Sequence, residues 1–529
     1  MGTHLPILLE LVNKSLISRS TRGGRYEIHE LLRQFAEEQL KRSGELAAAL
    51  GRHSAFFVAF VNARLPILQS RNPQAALDEI QADFDNIRQA VLYFLKQPET
   101  GAISALEQIS DSLRVFFEAE VHFSASVRHP GLPYLSLRLF FAARDQFSAD
   151  AEVIFRAALD RTATSETEAT LREGLADALQ VRGECDAAGR EYEQARRLLP
   201  ETQFAVQARL LRKHAQVFDS QRRLSEALAL LADAEHMLSR ETNRDETWWQ
   251  EWIAIQNSLV SAYFFLGDTQ AIGERADGIR TVVDRYGTPA LRFDFYTSGN
   301  MIELLKNQFV VTDRAMEYAR LGLGAALETG SLLKISIGHF RIGLTYFCLE
   351  QWSEAESEFQ AGLAIADRVG NILAQTLCTT FMATMFRRCL QVEAVEHWAT
   401  VTLQIAGSAG IDLYLAAAKA NLAWVDWRRG QTRRAVTLAQ EAMDIWERVS
   451  PRYPVRWQAQ WILLGHALRE GRLADGIDYG RSLFGQQALN DQVMRPLSKA
   501  ISAWDSGAED DALTHMSLVL SAATVFGYL

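Results

Sequence analysis

The chain is poor in the residues that break or staple a fold. Eleven prolines and 32 glycines among 529 residues exclude a long disordered or collagen-like stretch. Only four cysteines occur, Cys185, Cys348, Cys378 and Cys389, and no two have CxxC spacing. That rules out a zinc ribbon and a disulfide framework; each falls in a predicted helix and reads as a buried free thiol. No Gly-Lys pair exists anywhere, so a GxxxxGK[ST] phosphate loop cannot form. Neither a GxSxG elbow nor a kinase signature is present, and His29-Glu30 does not continue to HExxH. The 11 histidines are scattered at spacings that make no ligand set. Basic surplus is lacking too: a net charge of −10 argues against general affinity for nucleic acid, which needs a basic footprint. No uninterrupted run approaches the ~18 apolar residues of a membrane span, and MGTHLPILLELVNKSL lacks the layout of a secretory signal. These absences lead us to expect a soluble cytoplasmic protein that is not an enzyme. They also lead us to expect no cofactor, no metal and no direct contact with nucleic acid or membrane.

What is abundant is hydrophobic residues, 48% of the chain, arranged with a period of about 40. Aligned on one small residue, the pattern recurs at Ala176, Ala215, Val260, Gly299, Gly343, Ala383, Ala423, Gly465 and Ala500. The clearest copy runs Ile342-Gly343-Leu344-Thr345-Tyr346, then Trp352, Ala355, Phe359 and Gly362-Leu363. Small residues at its eighth and twentieth positions let two helices touch, and aromatics at the eleventh and twenty-fourth fill the remaining space. This resembles the tetratricopeptide repeat, whose usual work is binding. A single hairpin cannot bury its apolar faces alone, so the expectation is a right-handed superhelical α-solenoid over residues 166–529, of about nine hairpins. Gly183, Gly267, Gly430, Gly471 and Gly507 sit where a first helix must stop and reverse, which a left-handed residue without Cβ does at least cost.

Residues 1–53 do not follow the repeat. Leu8-Leu9-Glu10-Leu11-Val12 predicts a helix, Ser15–Ser18 and Tyr26–His29 two short strands around Arg22-Gly23-Gly24-Arg25, and Glu30 onward a second helix. Helix, hairpin, helix is the back half of a winged helix. The string LLELVNKSLISRSTRGGRYEIHELLRQFAEEQL resembles the segment that closes the nucleotide-binding module of STAND-class ATPases, in particular the large bacterial transcriptional regulators of that class. The likeness extends to Asp83-Phe84-Asp85-Asn86-Ile87-Arg88. In that class a Met-His-Asp motif follows the wing and its histidine reads the β-phosphate of ADP; here the corresponding residues are Ile28-His29-Glu30. The resemblance implies His29 as a nucleotide sensor when joined to an ATPase module, a module this sequence does not contain. Read without it, a histidine at this strand-to-helix junction suits the capping of a hairpin. The resulting organisation is a partial winged helix over 1–53, a helical linker region over 54–165, and the repeat array over 166–529.

Other features take ordinary readings. Asp83, Asp85, Asn86 and Arg88 form a solvated helix face with local pairing. Gly322-Leu323-Gly324 lacks the third glycine and the preceding strand of a dinucleotide loop, so it marks close helix packing. The acidic run from Asp505 to Asp511 lacks EF-hand spacing and suits the start of a helix. All 11 tryptophans fall at or after Trp248. Trp248, Trp249 and Trp252 cannot share one helix face, so at least one should be partly exposed. Tyr346, Tyr414, Trp424 and Trp427 lie on first helices, which line the inner face of such arrays, and are candidates for a groove that holds a partner protein or a small effector. The expected role is a sensor arm whose partners are that effector and an upstream ATPase module, in cis or in trans. The alternatives are a stand-alone tetratricopeptide adaptor and the accessory half of a kinase or nucleotide cyclase fusion.

Overall fold

A computed structural model of the chain describes residues 5–19, 26–68, 74–96 and 151–529, apart from residues 154, 157, 161–163, 222, 267–268, 451–452 and 485–488. The Arg22–Arg25 turn, Gly267 and much of the 54–165 region therefore lie outside the described residues. Contacts divide the chain into two units. One takes residues 1–119 and 150–178, the other residues 120–149 and 179–529.

The first unit opens with α1 (Leu5–Asn13), β1 (Ile17–Arg19), β2 (Tyr26–Ile28) and α2 (Glu30–Ser43). The two strands pair antiparallel with Ile17 opposite Ile28 and Arg19 opposite Tyr26. Helix α2 buries none of its residues. Next come α3 (Leu46–Asn62), α4 (Leu65–Leu68), α5 (Gln74–Ala82) and α6 (Phe84–Lys96). Helix α3 packs on α6 through Phe57, Val58 and Val61 against Ile87, Ala90 and Val91, all buried. Tyr93 ties them together, its hydroxyl donating to the Ala47 carbonyl at 3.2 Å. By length and composition the segment Leu46–Leu68 is apolar enough to cross a membrane, although Gly51-Arg52-His53-Ser54 interrupts it and a turn at Ala63-Arg64 breaks the helix. Asn86 donates to Asp83 at 3.1 Å, the local pairing expected of that face.

From Ser165 onward every described element is a helix. The boundary between the units falls inside α7 (Ser165–Val181), after Ala178. The second unit continues with α8 (Cys185–Leu198), α9 (Phe204–Ser220), α10 (Leu224–Ser239), α11 (Glu246–Leu266) and α12 (Thr269–Tyr286). It proceeds through α13 (Pro289–Lys306), α14 (Asp313–Thr329), α15 (Leu332–Cys348), α16 (Trp352–Val369), α17 (Ile372–Arg388) and α18 (Val392–Ser408). It ends with α19 (Asp412–Arg428), α20 (Thr432–Val449), α21 (Trp457–Arg469), α22 (Leu473–Leu483), α23 (Asp491–Asp505) and α24 (Glu509–Val525). The nine small residues of the periodic pattern, Ala176 to Ala500, fall one each on the odd-numbered helices α7 to α23. The chain is an all-α helical-repeat solenoid of consecutive helix pairs.

Local chemistry explains where these helices start and stop. Thr312, Ser331 and Asn371 are N-caps whose side chains accept from the third following amide, and Thr288 does the same ahead of Pro289 at the first helical position. Between the helices of a pair, Gly430, Gly471 and Gly507 hold the left-handed conformation, with φ of 76°, 71° and 79°. Glu350 and Leu390 occupy the corresponding turns after α15 and α17 with φ of 57° and 59°, a conformation that is strained for a side-chain-bearing residue.

The two helices of a pair are not equivalent. Twelve of the 17 residues of α19 are buried, against four of the 18 of α20. In α20 the buried set is Ala435, Ala439, Ala442 and Trp446, one narrow stripe of an amphipathic helix. Helix α19 is buried all round because α17 and α21 pack on its flanks while α18 and α20 cover it from outside. The first helices from α9 to α21 thus form a continuous inner layer. Gly343 shows how closely the pairs approach: a Cβ there would lie 2.7 Å from the Phe359 ring.

Candidate functional site

Within the second unit the inner layer opens into a cavity of about 470 Å³. The ends of α13 and α15 and the turns after them supply Leu305, Phe309, Val311, Phe347, Leu349 and Glu350. Helix α17 contributes Phe381, Thr384 and Arg388, and the segment leading into α21 adds Tyr453, Val455 and Trp457. Tyr528, beyond α24, closes one side. The lining is mainly apolar, with a few polar groups at its edge, the composition of a ligand pocket. Arg388 donates to Glu350 at 2.8 Å, which fixes one charged pair at the rim. Cys348 also lines the cavity, and desolvation pushes its thiol up to about 12.

Beneath the cavity runs a buried polar layer. Gln458 Nε2 donates to Thr384 Oγ1 at 2.8 Å, and Thr384 in turn donates to the Thr380 carbonyl at 2.9 Å. One turn on, the fully buried Arg387 places its guanidinium between the Trp424 and Trp457 rings, 5.8 and 5.3 Å from their centroids. Its Nη2 donates to the Gln458 carbonyl at 2.9 Å and the Tyr528 carbonyl at 2.5 Å, and its Nε to the Gly527 carbonyl at 3.2 Å. Arg387 has no carboxylate partner among the described residues. Desolvation, and secondarily the neighbouring charge of Arg388, hold its pKa well below the ordinary guanidinium value.

The residues singled out from the sequence fall in different surroundings. Tyr414, Trp424 and Trp427 are 1%, 0% and 7% exposed, so their rings serve the core in this conformation. The physical reason is the inner layer: a first helix flanked by two others has no open side on which a large aromatic can stand. Tyr346 is half-buried on α15 and packs against the core beside the cavity-lining Phe347. His29 is exposed and caps α2, its Nδ1 accepting from the Leu31 amide at 3.3 Å. It is thus distant in the chain from the cavity, and the structure brings none of the other four to it. Of the three clustered tryptophans, Trp248 is buried and donates to the Leu238 carbonyl at 2.9 Å, while Trp249 is half-buried and stacks on Tyr286 at 5.0 Å. Sequence reading missed Arg387 and Tyr528. The sequence signal for Arg387 is the adjacent pair Arg387-Arg388 at the end of an otherwise uncharged helix. Among the described residues no group of three or more His, Cys, Asp or Glu side chains could hold a metal.

No protein-family description and no curated protein matches this chain. Among solved structures, the chain is similar to a signal transduction ATPase with numerous domains (STAND) that carries a tetratricopeptide repeat sensor, from Pyrococcus horikoshii. The identity is 14% and the TM-score 0.47, over 84% of this chain and 59% of that one. The chain therefore spans about three fifths of that structure's length. It is also similar to a Rap protein complexed with competence and sporulation factor, at 15% identity and a TM-score of 0.44, over 61% of this chain and 88% of that one. A third likeness is to the apo form of RapI, at 13% identity and a TM-score of 0.41.

Proposed function

We propose that this chain is a non-catalytic binding scaffold that serves as the sensor arm of a STAND-type signalling ATPase or transcriptional regulator. The observation that carries the reading is the apolar cavity of about 470 Å³ set into the inner layer of the second unit. It is ringed by side chains from six separate segments of the array, so an occupant engages several repeats at once. A ligand that bridges repeats favours one packing of the array over others and couples binding to conformation. The occupant is a small effector or a segment of a partner protein with an apolar body.

The front of the chain fits the same reading. Ile7, Leu9, Leu31 and Phe35 are 50%, 51%, 68% and 60% exposed. Exposed apolar side chains of that kind suit an interface, here with an ATPase module in cis or in trans. The partial winged helix of residues 1–53 then stands at the trailing edge of that module, with His29 turned to its ADP. The repeats over 166–529 carry the effector site, joined through the 54–165 region. In a stand-alone adaptor, or the accessory half of a kinase or nucleotide cyclase, the cavity would serve equally and His29 would be a helix cap alone. Reading the coding DNA upstream of Met1 separates these cases. An in-frame GxxxxGK[ST] loop is expected, and an in-frame stop codon directly upstream, with no ATPase gene beside it, would favour the adaptor.

A further inference from the structure

The inner layer already holds an occupant, which is part of the chain itself. After α24 the backbone turns at Gly527, φ 68°, and residues 526–529 run back against α17 and α21. Tyr528 and Leu529 are 1% and 3% exposed. The array holds this segment largely by its main chain. Arg388 Nε donates to the Phe526 carbonyl at 2.8 Å, and Arg387 donates to the carbonyls of Gly527 and Tyr528. The Tyr528 ring stacks on Trp461 and meets Trp457 edge-on, with the Arg388 guanidinium 4.3 Å from its centroid. Gly527 is obligatory, since a Cβ there would lie 2.3 Å from the Arg387 carbonyl oxygen.

Two features make this segment a replaceable occupant. Helix α24 has its own core contacts through Ala512, Met516, Val519 and Ala523, and Val525 just before the turn is 66% exposed, so four residues can lift off without unmaking the helix. Secondly, once they leave, Arg387 retains the Gln458 and Ala420 carbonyls, at 2.9 and 3.5 Å, but loses two acceptors. A buried guanidinium short of acceptors is costly, so whatever enters must bring carbonyl or carboxylate oxygens. The two tryptophans demand an aromatic ring beside them.

We propose that Arg387, Arg388, Trp457 and Trp461 form a site for the main chain of an extended peptide, that residues 526–529 are its exchangeable internal occupant, and that an incoming peptide with a glycine–aromatic–aliphatic sequence displaces them and supplies the Tyr528 wall of the cavity in their place. The last step rests on the cavity being the ligand site; the peptide site stands on its own geometry.

The test uses the 529-residue chain and its Gly527→Val variant. Carboxypeptidase should release Leu529 and Tyr528 at least tenfold faster from the variant than from the wild type. The synthetic peptide Phe-Gly-Tyr-Leu should bind the variant at least tenfold more tightly, and an apolar fluorescent probe should bind the variant more strongly until the peptide is added. Should Gly527→Val fail to fold by circular dichroism, Tyr528→Ala carries the same measurements without a backbone clash. Equal trimming rates, or no peptide binding to a folded variant, would overturn the proposal. Fast trimming and peptide binding with no probe binding would leave the peptide site standing and remove the cavity from the account.

Discussion

The ring of Tyr528 stacks on Trp461 with centroids 5.6 Å apart and planes 25° apart, joining the last residues of the chain to the inner helix of the eighth pair. Both rings are buried. Tyr528→Ala should therefore cost about 3–5 kcal/mol, the range for deleting a large core aromatic. It should also move tryptophan emission to longer wavelength as Trp461 gains water. Denaturant titration followed by fluorescence reads both, and an unchanged spectrum would mean that the stack is absent in solution.

Leu390 is a second informative position. It takes a left-handed φ of 59° at a turn where other pairs use glycine, and it is 38% exposed, so it contributes little packing. Leu390→Gly should raise stability, by up to about 1 kcal/mol, because relief of backbone strain exceeds the added freedom of the unfolded chain. A lower urea midpoint would show that the leucine packs more than its exposure indicates.

His214 on α9 gives the second unit a pH dependence. Its ring stacks on Phe218 at 5.0 Å, and one edge lies against Gly189. Desolvation lowers its pKa below 6.5, against the opposing pull of Glu193 and with help from Arg196 and Arg223. A depressed folded pKa means that the folded state binds fewer protons than the unfolded one at mildly acidic pH. The contribution is therefore complete above about pH 6.5 and is lost as pH falls through the folded value. Melting temperature should drop between pH 7 and pH 5, and His214→Phe should lessen the drop. An identical drop in the variant would assign the effect elsewhere.

Trp427 and Tyr346, both read from the sequence as groove residues, should behave differently on truncation. Trp427 is 7% exposed and would meet any Cβ placed at Gly465 at 3.0 Å, so Trp427→Ala should destabilise by about 3–5 kcal/mol. Tyr346 is half-buried, and Tyr346→Ala should cost less. Equal losses in chemical denaturation would contradict the placement of these rings.

The fold was legible because a solenoid writes itself locally. Each small residue from Ala176 to Ala500 needs only the partner helix about 20 residues on, so a period survives in one sequence. Even the irregular copies at Val260 and Gly299 are helix pairs, and Gly299 meets the Tyr318 ring just as Gly343 meets Phe359. The site was not legible in the same way. Arg387 and its acceptors Gly527 and Tyr528 are 140 and 141 residues apart, a distance at which no repeat pattern speaks. The aromatic candidates misled for a related reason. Position on a first helix suggests a side that faces a groove, whereas α19 is covered by α17 and α21 and its tryptophans fill the layer between them.

The central claim is that the cavity of the second unit is a ligand site, and Leu349 tests it most directly. This residue lines the cavity yet is 40% exposed, so Leu349→Trp fills the space without disturbing the core. An apolar fluorescent probe titrated into the 529-residue chain should bind at one saturable site, and the variant should bind at least tenfold more weakly at an unchanged melting temperature. Absence of saturable binding, or equal binding by the two proteins, would contradict the account.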